Sequence, residues 1–187
     1  ARETVDVLLD IASATDYLNA NAQGAICGEI QQLFDDPDFP LLPDLARLKS
    51  ILRELQRELD YAVNNAAITR ELDVKIRTGP GRLVTGIPLA IARHVAALNG
   101  VSFTYLIDEL ENINAPQQAY VNTLLRERTP PVTFRLGART YGIKGFSTMA
   151  DGEANQQGSE FELIKLDEKF RTGKKEYDKF ARKLICT

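Results

Sequence analysis

The sequence predicts an α/β fold with a mainly parallel sheet, set behind a helical N-terminal region. Three observations carry that prediction. The first half holds amphipathic helical stripes and little strand signal. The second half alternates helix and strand through short connections, which favours parallel crossover units. One apolar run, Val101-Ser-Phe-Thr-Tyr-Leu-Ile107, leads directly into Asp108-Glu109, as a buried strand does when it delivers polar groups to the C-terminal edge of a sheet.

In chain order, Val5, Leu8, Leu9, Ala12 and Leu18 fall at helical spacing and predict a helix over residues 3–18. A second helix is expected over residues 22–34, ended by the loop signal Asp35-Asp36-Pro37-Asp38-Phe39-Pro40. Pro43-Asp44 then opens a long amphipathic helix. Leu45, Leu48, Ile51, Leu52, Leu55, Leu59, Ala62 and Val63 form its apolar stripe, with Lys49, Arg53, Glu54, Arg57 and Glu58 opposite. This stripe of residues 45–63 serves either the chain's own core or a protein partner.

Residues 72–76 alternate and predict a short edge strand before the hinge Thr78-Gly-Pro-Gly-Arg82. Residues 87–98 read as a buried helix with Pro88 in its first turn, stopped by Asn99-Gly100. The strand of residues 102–107 follows. Ala115-Pro116 starts a helix expected to face Val121, Leu124 and Leu125 inward and Gln117, Gln118, Asn122 and Arg126 outward. Residues 132–136 form the next strand. Residues 149–159 are polar and predict a mobile loop, residues 161–166 a last strand, and residues 174–185 a closing helix. These elements divide into a helical region, 1–72, and an α/β region, 73–187.

With 187 residues, 44% of them hydrophobic, the chain can bury a core of one domain or of a domain with a small annex. A net charge of −3 argues against a globally basic nucleic-acid binder. DNA enters as a partner only through a local groove from Arg135, Arg139, Lys144, Lys165, Lys169, Arg171, Lys174 and Lys175, residues that a solvated surface explains equally. Cys27, Cys186 and His94 have no zinc-ligand spacing, and His94 has no nucleophile pattern around it. Two isolated cysteines fit a reduced, cytoplasmic compartment. No segment has the apolar length of a membrane span.

Asp108-Glu109 is the strongest chemical signal. Neighbouring residues at a strand end point to opposite sides, so the two carboxylates would divide their labour. One approaches a metal ion on phosphate oxygens and the other orients a water, the division that phosphoryl transfer requires. Helix capping also places acids at such positions.

The run ending in Asp108-Glu109 resembles the Walker B segment of P-loop NTPases. Leu110-Glu-Asn-Ile-Asn-Ala-Pro-Gln-Gln118 resembles the turn and helix that follow it in ABC-, SMC- and AAA-type ATPases. From residue 103 to 166, "FTYLIDELENI", "QQAYVNTLLRERTPPVTFRLGARTYGIK" and "GSEFELIKLDE" resemble bacterial AAA ATPases of the origin-recognition-like group. The resemblance implies a partial core of P-loop NTPase type, ATP and Mg²⁺ as ligands, Asp108 as metal-side acid and Glu109 as base. It implies Arg139 as sensor or arginine finger, with Arg135 and Lys144 as lesser candidates, and a homo-oligomer or protein partner.

Leu83-Val-Thr-Gly-Ile-Pro88 occupies the place of an ABC signature loop, which would put Thr85 and Gly86 against a nucleotide on the opposite subunit. A hinge and the first turn of a core helix account for the same residues. The departure from the pattern is the phosphate loop. No Gly-x-x-x-x-Gly-Lys-Ser/Thr occurs, and Gly137-Ala-Arg-Thr-Tyr-Gly-Ile-Lys144 carries isoleucine where lysine belongs. Without that loop, the expectation is either a Walker A segment upstream of Ala1 or a chain that does not bind nucleotide tightly. The start on Ala1 rather than Met fits a processed, truncated or incompletely represented protein. The alternative is a non-catalytic interaction module that keeps the fold and binds a protein through residues 45–63.

Overall fold

A computed structural model describes Asp6 and residues 19–166. Local chemistry explains where its elements start. Helix α1, Ala20–Gln31, begins where the Asn19 side chain accepts the Ala22 N–H at 2.8 Å. Helix α2, Leu45–Thr69, begins where Asp44 accepts the Arg47 N–H at 2.7 Å. Helix α3, Arg82–His94, starts from Gly81, whose φ of 71° suits glycine. Strand β1, Phe103–Ile107, leads through helix α4, Ala115–Arg126, to strand β2, Val132–Leu136. In α4 the Asn114 and Gln117 side chains satisfy each other's backbone amides, a complete capping box.

The two strands are parallel, Phe103 facing Val132 and Ile107 facing Leu136. A helix therefore crosses between them, as the parallel pairing demands. The main core lies among α1, α2 and α3. Ile26, Ile30, Leu48 and Ile87 are each fully buried there, and Phe103 packs against this cluster from β1. Each such aliphatic side chain contributes about 1.5–3 kcal/mol on leaving water. One sheet face carries the Tyr105–Phe134 stack, with ring centroids 5.4 Å apart, and is tied to α3 by the Tyr105 hydroxyl. Thr104, Leu106, Thr133 and Arg135 lie exposed on the other.

The structure departs from the sequence reading in five places. Residues 72–76 form no strand. They lie extended beside the α1–α2 connection, held by Lys75 and Arg77 on Asp36 and by the Asp35 N–H on the Arg77 carbonyl. Charge pairing, not a backbone ladder, fixes them, and Leu72 and Ile76 stay exposed. Helix α3 starts at Arg82, five residues earlier than expected, so Pro88 sits inside it. Residues 149–159 are stitched down rather than loose. Thr148 N–H donates to the Glu153 carbonyl and Asn155 N–H to Phe146, each at 2.9 Å. Residues 161–166 form a single bridge at Phe161, whose ring stacks on Phe146 at 4.8 Å, in place of a strand. Gln118 and Asn122 are buried, not outward. The helices expected over 3–18, Asp6 aside, and over 174–185 lie outside the described residues.

Among the described residues the α/β expectation thus reduces to a small parallel two-stranded sheet with a helical N-terminal region. None of their helices is long and apolar enough to cross a membrane.

Candidate functional site at the end of the parallel strands

Strand β1 ends at Ile107, and the next residues leave the sheet by a sharp turn. Gly137 N–H donates to the Ile107 carbonyl at 2.7 Å, and Leu110 N–H donates back to the Gly137 carbonyl at 3.1 Å. These two bonds hold Asp108 and Glu109 in a short arch over Gly137. A side chain at 137 would displace the Asp108 carboxylate, because its Cβ would lie 2.4 Å from Asp108 Oδ1.

Glu109 occupies the left-handed region, φ 55° and ψ 44°. That conformation costs a non-glycine residue roughly 1–2 kcal/mol. Its amide donates to Asp108 Oδ1 at 2.8 Å, and its carboxylate accepts from Asn112 Nδ2 at 2.8 Å. The strand's alternation therefore stops before the acidic pair. The separation of the two carboxylates comes from this turn rather than from opposite faces of a strand. Both remain exposed.

After the arch comes a 3₁₀ turn, Leu110–Asn112, with Leu110 buried. A second 3₁₀ turn, Thr140–Gly142, follows β2 and packs on the first. Gly142 makes this approach feasible, since a Cβ there would lie 2.2 Å from Glu111 Cβ. Gln118 joins the two turns from α4. Its Nε2 donates to the Leu110 and Gly142 carbonyls, both at 2.8 Å, and its Oε1 accepts the Lys144 N–H at 2.9 Å. One turn further along α4, Asn122 donates to the Gly145 and Ser147 carbonyls at 3.2 and 2.9 Å. Asn155 closes back onto the Asn122 carbonyl at 2.8 Å.

Arg139 stands beside this junction. Its backbone N–H donates to Glu111 Oε2 at 3.2 Å, and its Nε lies 3.5 Å from Glu111 Oε1. Its Nη1 donates to the Tyr141 hydroxyl at 2.7 Å. The bond to Tyr141 first, and then the charges of Glu111 and Glu109, raise the Arg139 guanidinium above its ordinary pKa. A fixed cation thus lies within electrostatic reach of Glu109. Lys144 Nζ caps the first turn through the Glu111 carbonyl at 3.2 Å and the Ile113 carbonyl. Arg135 lies exposed on the open sheet face.

The structure therefore brings Asp108, Glu109 and Arg139 to one end of the strand pair. Thr85 and Gly86 sit elsewhere, in the first turns of α3. The Thr85 hydroxyl bonds back to the Gly81 carbonyl at 3.3 Å, and Gly86 lies against Leu33, where a Cβ would meet Leu33 Cδ1 at 2.6 Å. Helix geometry and close packing against Leu33 account for both within the chain.

The sequence reading missed Glu111, Asn112, Gln118 and Asn122, which build and support the site. A signal existed for two of them. Gln118 and Asn122 fall four apart and continue at Leu125, so they share the inward stripe of α4.

Among the described residues no group of three or more His, Cys, Asp or Glu side chains could hold a metal ion. Mg²⁺ on a polyphosphate needs only one or two protein carboxylates, the phosphates and water supplying the rest. Asp108 meets that requirement. It is exposed at the strand end, with one oxygen on the Glu109 amide. Among the described residues its other oxygen accepts no hydrogen bond.

Residues 1–186 match the ORC-CDC6-like family. The chain belongs to the ORC-CDC6-like family. No curated protein and no solved structure matches it. Membership makes this ORC-CDC6-like chain an AAA-type, ATPase-related protein, for which nucleotide binding is the general expectation. The carboxylate pair at the end of a parallel strand is consistent with a partial P-loop-like fold.

Proposed function

We propose that the α/β region, residues 73–187, carries the Walker B half of an AAA-type ATP site, with the triphosphate-binding loop supplied from outside these 187 residues. The arch over Gly137 is the observation that supports this reading. It sets an exposed Asp-Glu pair at the C-terminal end of a parallel strand, beside a fixed arginine.

Asp108 is the metal-side acid. Glu109, braced by Asn112, orients and deprotonates the attacking water. Arg139 meets charge on the transferring phosphoryl group, in its own subunit or across an oligomer. Asp108 would hold Mg²⁺, which would supply charge neutralisation at the phosphates. Thr85 and Gly86 belong to this reading only as contacts to a nucleotide on a neighbouring subunit.

The test is nucleotide binding and turnover by the native gene product. Glu109→Gln is expected to retain ATP and lose hydrolysis, while Asp108→Ala weakens Mg²⁺-dependent binding. Undiminished turnover in Glu109→Gln removes the assignment. A second reading, a non-catalytic interaction module, draws support from the exposed distal half of α2 and predicts no nucleotide binding at all.

A further inference from the structure

The turn that joins the helical core to strand β1 carries an Asn-Gly pair, Asn99-Gly100. Leu98 before it and Phe103 after it both pack against the main core. Asn99, at φ −64° and ψ 126°, and Gly100, at φ 77°, form the centre of a type II turn. The Val101 N–H closes it on the Leu98 carbonyl at 3.1 Å. Both central residues are exposed, and among the described residues neither the Asn99 side chain nor the Gly100 N–H has a hydrogen-bond partner. The other asparagines are guarded. The side chains of Asn19, Asn112, Asn114, Asn122 and Asn155 are each held in a hydrogen bond. The amides that follow Asn64 and Asn65 belong to the helical ladder of α2, and the amide after Asn21 is bonded to Asn19.

We infer that Asn99 is a site of spontaneous deamidation and backbone isomerisation, with water and hydroxide as the only co-reactants. Hydroxide takes the Gly100 amide proton, and the nitrogen attacks Asn99 Cγ. The new N–C bond closes a five-membered succinimide as Nδ2 leaves as ammonia. Water then opens the ring at one of its two carbonyls. One opening gives aspartate at position 99; the other gives isoaspartate, whose backbone runs through the former side chain and is one carbon longer. The native ψ of 126° holds Cγ away from the Gly100 nitrogen, so the peptide plane between the two residues must rotate first. A type II turn becomes type I by that rotation, its first ψ going to about −30°. No bond from the Gly100 N–H resists it among the described residues, and glycine has open space around its Cα. Isoaspartate would lengthen the chain between Leu98 and Phe103, loosening the tie between the core and the strand that leads to Asp108. The inference is independent of the nucleotide reading.

Ageing of the folded 187-residue chain in mildly alkaline buffer tests it, with isoelectric focusing to follow the gain of negative charge. Peptide mapping with electron-based fragmentation then locates aspartate and isoaspartate. Conversion at residue 99 is expected to precede that at every other asparagine and to accelerate as the pH rises. Asn99→Gln should remove the first acidic species, and Gly100→Ala should slow its formation at least roughly tenfold by hindering attack and rotation. Far-ultraviolet circular dichroism establishes that each variant keeps its fold. In the aged sample the isoaspartate form should unfold at lower urea than the aspartate form. Three results would overturn the inference: Asn99 intact after Asn64 or Asn65 has converted, conversion at 99 that appears only in the urea-unfolded chain, or a rate that a folded Gly100→Ala chain leaves unchanged.

Discussion

The Tyr105 hydroxyl donates at 2.9 Å to the Val84 carbonyl, the one carbonyl in α3 that Pro88 leaves without its helical N–H. A proline inside a helix normally breaks it. Here a side chain from β1 replaces the missing donor, and the same bond fastens helix to sheet. Tyr105→Phe should destabilise the chain by about 1–2 kcal/mol, because a half-buried carbonyl then lacks a partner. In a Pro88→Ala background the new amide can serve Val84, so the cost of Tyr105→Phe should fall. Urea unfolding of the four chains of this cycle measures the coupling, and purely additive values would show that the hydroxyl does not serve the proline gap.

Gln118 carries the connection between the turn after Glu109 and the turn after Arg139. Gln118→Leu keeps the volume and removes three hydrogen bonds from two carbonyls and one amide. A loss of about 2–3 kcal/mol is expected, since buried partners are left unsatisfied. Amide exchange should accelerate most at Lys144, whose N–H loses its acceptor. Unchanged exchange there would mean that the turns hold together without Gln118.

What the sequence made legible was local. The apolar run into Asp108, the helix start at Ala115-Pro116 and the strand of residues 132–136 each encode their element within a few residues, and each forms. Positions decided by tertiary partners were not legible. Residues 72–76 alternate like a strand, but Lys75 and Arg77 are paired with Asp36 and no ladder forms. Pro88 looked like a helix start because its substitute donor lies 17 residues away in β1. Gln118 and Asn122 looked outward because amide side chains usually are. Their burial follows from a neighbouring loop that offers free carbonyls. The acidic pair could be found from its strand, whereas the left-handed turn at Glu109 could not, since nothing about glutamate requests that conformation.

Two glycines should respond to alanine with opposite signs. At Gly142 a Cβ would lie 2.9 Å from Glu111 Cα, a backbone atom that cannot rotate away. Gly142→Ala should cost about 1–3 kcal/mol and push the two 3₁₀ turns apart. At Gly28, exposed in the middle of α1, a Cβ meets nothing within 4 Å. Gly28→Ala should stabilise by about 0.5–1 kcal/mol through helix propensity. Thermal unfolding of both variants reads the contrast, and equal shifts would refute the packing described at Gly142.

Asp36 predicts how stability depends on acid. Its side chain is buried, with Lys75 Nζ at 2.8 Å and Arg77 Nη1 at 2.7 Å. The bond from Lys75 is the largest of the influences that hold its carboxyl below the ordinary value of 3.8. A carboxyl depressed in the folded state adds stability that is fully present above its unfolded pKa and is lost as pH falls through the folded one. Asp36→Asn should therefore destabilise the chain at neutral pH, where the charged pairings are intact. The gap between the two proteins should narrow as the pH falls below about 4, where the unfolded-state carboxyl begins to take up its proton, and close as the pH falls through the lower folded-state value. Glu160, also held below its ordinary value, titrates in the same range in both proteins and cancels in the difference. Denaturant midpoints across that range give the answer. A gap that stays constant down to strong acid would assign the loss to packing and not to the ionised carboxylate.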